Sequence, residues 1–594
     1  MGIENKVLVK NRWLKYRLYG CAVIVVVFFS LPSWAGNDEK QLTETAKFSA
    51  RTQLVLVPAL VTDKSGTHIS GLKKEDFIVL ENGSERAIAT FEEIASDPGR
   101  IASAKYANTF SNYAGGGIAH RVTLIVVDLL NTRFADQAYL KNELLKYLSQ
   151  SLDRREPTGL LTLDRDGIHL MHDFTSDPAL LIAALHQVRG DATKLVDGDE
   201  EMEAMTGSAS PEGSAAGDSG ASGGGGRPGT LAATTSAVQQ EVNRMQTMIE
   251  DAALNFQSFQ QRVAILYTLE GMQQVAQSVA GFPGRKSLIW ASGGFPFSVS
   301  DTTMQLAPAG RDSLTDVLPV YERTWQLLND AGIALYPIDV KGLQTNMPNA
   351  SISTPSRPGR PTSYMHNTMW RQVDTQSTFE LFAAATGGRA YYNSNDLVKG
   401  FREAVHDSTQ YYMLGYYLER SRPGWHKIAV KVKREHVNIR SRTGFFVPTG
   451  TRASGSSDVN DIASALHSPL EYTSIGMNGR WEATDPAPES GKKRLHYVVE
   501  LVPNVALADS SDKNHISLDL IVSAVTGEGL QAAPVSEKRI DLYPKEEVAK
   551  NIREKGLALK GVVELGPGDY TVHMVVRDEL SGRIGSVITR LQVE

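Results

Sequence analysis

The spacing of apolar and polar residues divides the chain into three kinds of pattern. Residues 51–95 alternate: Thr52-Gln-Leu-Val-Leu-Val-Pro-Ala-Leu-Val61 and Asp76-Phe-Ile-Val-Leu80 are punctuated by Asp63-Lys-Ser-Gly66 and Glu81-Asn-Gly-Ser84. Period-two alternation broken by such turns predicts an antiparallel β-module over 50–96. From His120 the pattern changes. Arg121-Val-Thr-Leu-Ile-Val-Val-Asp128 is a nearly unbroken β-branched run, as expected of a strand buried on both faces of a parallel sheet. Helical spacing follows over about 136–150, with Leu140, Leu144, Leu145 and Leu148 on one side. Strand candidates at 158–163, 167–171, 286–290, 333–338 and 388–392 then mix with helices predicted near 177–188, 237–279, 313–328, 377–385 and 397–406. The run Tyr411–Tyr417 closes the series. This order predicts an α/β domain over 118–417 built on a doubly wound, mostly parallel sheet.

Two stretches fit neither period. Residues 197–235, with Gly217-Asp-Ser-Gly-Ala-Ser-Gly-Gly-Gly-Gly226, and residues 343–372, rich in Pro, Ser and Asn, read as flexible insertions. Strict alternation returns from Ile428 to Lys433, so 418–450 is expected to pack with the N-terminal module. Beyond a Ser454-Gly-Ser-Ser457 linker, strands at 495–501, 516–522 and 568–576 with few helix signals predict a C-terminal β-sandwich over 460–594. Both flanking modules are expected to be Ig-like.

Composition narrows the chemistry. Against 61 Lys and Arg stand 67 Asp and Glu, a net charge of −6 that argues against a nucleic-acid partner. One cysteine excludes a disulfide framework and any multi-cysteine metal site. That cysteine, Cys21, opens the apolar run to Phe29, which follows Lys6, Lys10, Arg12, Lys15 and Arg17 and precedes Ser33 and Ala35. The order is that of a signal peptide cleaved after Ala35; the rival, an uncleaved anchor, is poorly served by so short a run. Loss of residues 1–35 removes five basic residues and one acid and moves the charge to −10. An exported protein of the periplasm, outer envelope or extracellular space is expected, with no transmembrane segment after signal removal.

Several catalytic templates match only by chance. Gly224-Gly-Gly-Arg-Pro-Gly229 and Gly220-Ala-Ser-Gly-Gly224 imitate a dinucleotide fingerprint and a nucleophile elbow, but no strand precedes either and the tract cannot hold a strained turn. His169 and His172, three apart on a strand, point to opposite faces. The tyrosines at 411, 412, 416 and 417 suit a strand alternating between core and interface, or a partner surface. Asp128-Leu-Leu-Asn-Thr132 is different, because it closes the first strand of the α/β domain at the edge where such sheets bind ligands. Its oxygens suit Mg²⁺, Ca²⁺ or Mn²⁺, or else Asp128 and Asn131 cap the following loop by local hydrogen bonds.

The strand ending at Asp128 and the α/β order resemble a von Willebrand factor type A domain, the fold of integrin inserted domains. The chain is more closely similar to von Willebrand factor A-related proteins abundant in Acidobacteria. Val61-Thr-Asp-Lys-Ser-Gly66, Gly71-Leu-Lys-Lys-Glu-Asp-Phe77, Phe282-Pro-Gly-Arg-Lys-Ser-Leu-Ile-Trp290, Ser292-Gly-Gly-Phe295, Tyr336-Pro-Ile-Asp339, Thr386-Gly-Gly-Arg389 and Tyr411-Tyr-Met-Leu-Gly-Tyr416 carry that likeness over about residues 50–450. It implies a non-enzymatic adhesion module whose metal site, holding Mg²⁺ or Ca²⁺, engages a protein or glycan. The family site is Asp-x-Ser-x-Ser after the first strand, a later Thr, and an Asp after the fourth strand. Asp128 and Thr132 match, with Asn131 beside them, but Leu130 replaces the first Ser. Ser292 lies where the Asp is expected, and Thr193 is assigned as the loop threonine by order alone. Losing two of about five oxygen ligands, at about 1–2 kcal/mol each, weakens cation binding by more than tenfold. The alternatives are a metal-independent scaffold of an envelope complex and an envelope hydrolase, the latter lacking any recognisable nucleophile or metal constellation.

Overall fold

A computed structural model describes residues 53–95, 108–112, 121–190, 231–300, 304–306, 316–343, 363–407, 409–418, 422–447, 456–487, 491–502 and 515–594. The chain is mixed α/β, with one largely parallel sheet and several antiparallel ones. Among the described residues no helix is long and apolar enough to cross a membrane. The apolar run 21–29 and the rest of the proposed signal lie outside them.

Strand Val122–Asp128 is the middle of a five-stranded sheet ordered Ile333–Asp339, Lys286–Ser292, Val122–Asp128, Thr158–Asp164, Gly167–Thr175. Every neighbouring pair is parallel except the last, a hairpin. The unbroken apolar run of the middle strand has a direct cause: Leu124 and Val126 enter one core while Ile125 and Val127 enter another. Helices Leu231–Val279, Leu318–Asp330 and Ser363–Thr386 cover the first face. Helices Phe134–Gln150, Pro178–Gln187 and Leu397–His406 cover the second. Residues 388–392 add a single parallel bridge, Ile338 with Tyr391, at the free edge of strand Ile333–Asp339. Gly388 makes this approach possible, since a Cβ there would lie 1.9 Å from the Leu335 carbonyl oxygen.

Two helices begin inside segments expected to be loops. The long helix starts at Leu231 and the helix Ser363–Thr386 reaches back to 363, against expected insertions of 197–235 and 343–372. Leu231-Ala-Ala are strong helix formers, and no Pro or Gly interrupts residues 363–386. Residues 191–230 and 344–362 lie outside the described residues.

Strand Gln410–Leu418, expected to end the α/β domain, belongs elsewhere. It pairs antiparallel with Gln53–Thr62, from Gln53↔Leu418 to Ala59↔Tyr412, and on its other side with Thr90–Ala95. Tyr412, Leu414 and Tyr416 point into a core shared with Val55, Val57 and Val79. Asn438–Ser441 completes that sheet. The facing sheet is ordered Gly444–Val447, Gly424–Val432, Phe77–Glu81, Ser84–Arg86, so segments on both sides of the α/β domain build one β-module. Arg285, fully buried, joins the two parts. Its backbone N–H donates to the Tyr411 hydroxyl at 3.0 Å, and its Nη2 donates to the Tyr336 hydroxyl at 3.1 Å and the Gly387 carbonyl at 2.6 Å.

The C-terminal part is two more four-stranded sheets around one core. One holds Leu557–Leu565, Lys493–Leu501, Met477–Pro486 and, unexpectedly, Thr109–Ser111. The other holds Ser536–Leu542, Ile516–Thr526, Gly568–Asp578 and Ile584–Val593. Helices Ser456–His467 and Glu546–Lys555 accompany them, which the strand pattern alone does not anticipate. Thr473 docks this part on the end of the long helix by accepting from Gly281 N at 2.8 Å and donating to Ser278 O at 2.9 Å.

Candidate functional site

Three adjacent parallel strands end with Asp128, Ser292 and Asp339, all buried. Parallel register places Val127 beside Ala291 and Asp339 beside Ser292, so Asp128 and Ser292 meet at the same sheet edge. Asp128 Oδ1 accepts from the Asn131 backbone N–H at 2.9 Å and from Asn131 Nδ2 at 3.1 Å. Its Oδ2 accepts from Asn131 Nδ2 at 2.9 Å, Trp290 Nε1 at 2.9 Å and Ser292 Oγ at 2.7 Å. Asn131 Nδ2 also reaches Thr268 Oγ1, at 2.9 Å, on the long helix. Thr132 Oγ1 accepts from Gly293 N at 2.9 Å, clamping the loop after the fourth strand to the loop after the first.

Of the residues singled out in the sequence, Asp128, Asn131, Thr132 and Ser292 therefore converge. Thr193 lies outside the described residues. Leu130, at the family's oxygen position, is fully buried in the apolar core. Trp290 and Thr268 are partners the sequence reading missed. Trp290 carried a usable signal, since it stands two residues before Ser292 on one strand and so shares its face. Thr268 sits in the middle of a long helix and has no local signal.

Burial pushes the Asp128 carboxyl above its ordinary range, while the bonds from Asn131, Trp290 and Ser292 oppose that. All of these partners are neutral donors. A cation ligand needs lone pairs facing an ion, yet both oxygens here already face N–H or O–H groups. To bind a cation Asp128 would first have to release them, at about 1–3 kcal/mol for each donor left buried without a partner. Ser292 Oγ is likewise committed to the carboxylate, and Thr132 Oγ1 to Gly293. The donor set fits a closed hydrogen-bonded cluster and does not fit a divalent cation.

Against known family models the chain finds no match, and no curated protein matches it either.

Around the buried cluster the strand-end loops present other groups to solvent. Phe134, which opens the helix after Thr132, is 53% exposed, and Leu343, four residues beyond Asp339, is 56% exposed. Asp339 and Lys341 lie between strand and loop, the carboxyl pushed up and the amine pushed down by burial, each partly relieved by the other. A cleft of about 840 Å³ opens near the end of strand Ile333–Asp339, lined by Tyr391, Tyr392, Arg389, Glu403, Lys427 and Arg440. Its cations are largely spoken for: Arg440 pairs with Asp407, and Arg389 lies 3.4 Å from Glu403.

Gly293 holds the two loops together. A Cβ on it would lie 2.8 Å from the Asn131 carbonyl oxygen and 3.2 Å from Thr132 Cα, both backbone atoms. Gly293→Ala is expected to cost about 2 kcal/mol by forcing the loops apart. A urea midpoint equal to that of the unaltered protein would contradict this close approach.

Proposed function

We propose that the protein is an exported, non-catalytic binding module of von Willebrand A type that engages a protein partner at its strand-end face without a metal ion. Support for the fold comes from the strand order. Numbered along the α/β domain it is 3-2-1-4-5, with strand 3 antiparallel and helices on both faces, the doubly wound arrangement that places ligands at the carboxyl ends of strands. The observation that carries the metal-free reading is the Asp128 carboxylate, whose two oxygens are taken up by Asn131, Trp290 and Ser292. The cluster then fixes the loops, and the loops make the contacts. Phe134 and Leu343 are large apolar side chains left more than half exposed there, which a partner would bury. The flanking β-modules, Ig-like on this reading, carry the domain in an envelope complex.

Capture from envelope extracts, compared in EDTA and in millimolar Mg²⁺, tests this. Partner retention is expected to be equal in both and to fall at least tenfold in Phe134→Asp with Leu343→Asp. Capture abolished by EDTA would sink the metal-free reading.

A further inference from the structure

We propose that the outer half of helix Leu231–Val279 forms a two-stranded coiled coil with the same helix of a second copy of this chain. The helix has 49 residues, about 73 Å at 1.5 Å per residue. Among its described residues, the C-terminal part serves the α/β domain, burying Ile265, Leu269, Met272, Val275 and Val279 in the core. Towards the N-terminus, Val242, Met245, Ile249, Phe256 and Phe259 are exposed by between 40% and 63%. Ala252, also exposed, fills the remaining place. Their spacing is three, four, three, four, three. That is the a and d pattern of a heptad, with period 3.5, whereas a helix lying on a globular core keeps a broader stripe of period 3.6. Met248, 64% exposed, widens the seam at a g position. A continuous apolar stripe of this length in water marks an interaction surface.

The occupant follows from the seam itself. A period of 3.5 is matched by a partner helix of the same period, and a two-fold pair of identical chains supplies it. The flanking e and g positions are Glu241, Gln246, Met248, Ala253, Asn255, Gln260 and Arg262. Two are charged, Glu241 and Arg262, and Arg262 lies 3.3 Å from Asp316 of its own chain. In a parallel pair of identical chains Glu241 meets the position of the neutral Gln246 and Arg262 that of Tyr267, so like charges do not face each other across a homotypic seam. Asn243, Arg244 and Thr247, all exposed, occupy b, c and f positions. Burying the exposed side chains of two copies removes on the order of 1,000 Å² from water, the lower bound for a specific interface.

Sedimentation velocity and light scattering of the full exported chain decide the matter. A dimer at micromolar concentration is expected. Met245→Glu with Ile249→Glu should raise its dissociation constant at least 100-fold while leaving circular dichroism and thermal unfolding of the monomer unchanged, because these side chains are more than half exposed. Thr247→Glu, at an outward position, should leave the dimer intact. A chain that stays monomeric up to about 100 μM would overturn the proposal, as would a dimer that survives the double variant; the seam would then be covered by the chain's own residues or by another protein.

Discussion

Asp128→Ala lowers the stability of the protein by about 3 kcal/mol and leaves its response to divalent cations unaltered. The carboxylate is fully buried and accepts from Asn131, Trp290 and Ser292. Ser292 Oγ has a second acceptor in Gly294 O at 2.8 Å, and Asn131 Nδ2 has Thr268 Oγ1, but Trp290 Nε1 and the Asn131 backbone N–H lose their partner. Each buried donor left unsatisfied costs about 1–3 kcal/mol, and the relief of a desolvated charge offsets part of the sum. Urea unfolding at constant slope measures the loss directly. If Asp128 were a cation ligand held open by the fold, the apo protein would gain stability on losing an unpaired buried charge, and the variant would abolish cation binding. The two accounts thus differ in sign.

Lys286→Met stabilises the protein by about 3 kcal/mol at neutral pH and removes most of its pH dependence on the alkaline side. Lys286 opens the fourth strand of the α/β domain, is 5% exposed, and donates to the Ala331 carbonyl at 2.7 Å, with no carboxylate beside it among the described residues. Desolvation brings its amine down from 10.5 to about 7. Between those values the unfolded chain binds a proton that the native chain has released. Stability therefore rises as pH climbs from about 7 towards 10.5, by at most about 1.4 kcal/mol per unit, and below 7 the lysine contributes no slope. Methionine fills the same volume without the charge and forfeits one hydrogen bond. The gap between the two proteins should be widest at neutral pH and below and should close near pH 10. Parallel stability curves across that range would show that the amine is solvated in the native state.

What was legible in the sequence follows from how local the cause is. The run ending at Asp128 announces itself because both faces of the strand are buried, so no polar residue interrupts it. The strands at 286–292 and 333–339 announce themselves for the same reason. The destination of Gln410–Leu418 was hidden: its alternation is plain, but its partner strand Gln53–Thr62 lies some 350 residues away, and chain order alone attaches it to the α/β series. Thr109–Ser111 is too short for any periodic signal, and its pairing with Met477–Pro486 is wholly long-range. At the site, strand-end position identified Asp128 and the family resemblance pointed to Ser292, whereas the bond from Trp290 depends on the register between strands Val122–Asp128 and Lys286–Ser292. Register also decides the chemistry. The same Asp, Asn and Ser could be read as oxygen ligands, and only the direction of their hydrogen bonds makes them a closed cluster.

The central claim, that this strand-end carboxylate is satisfied from within, is tested most directly by titration calorimetry of the chain with Mg²⁺, Ca²⁺ and Mn²⁺, beside Gly293→Ala and Asp128→Ala. Heats indistinguishable from buffer dilution for all three proteins are predicted up to millimolar cation. A saturable heat in the unaltered protein that disappears in Asp128→Ala would contradict the account.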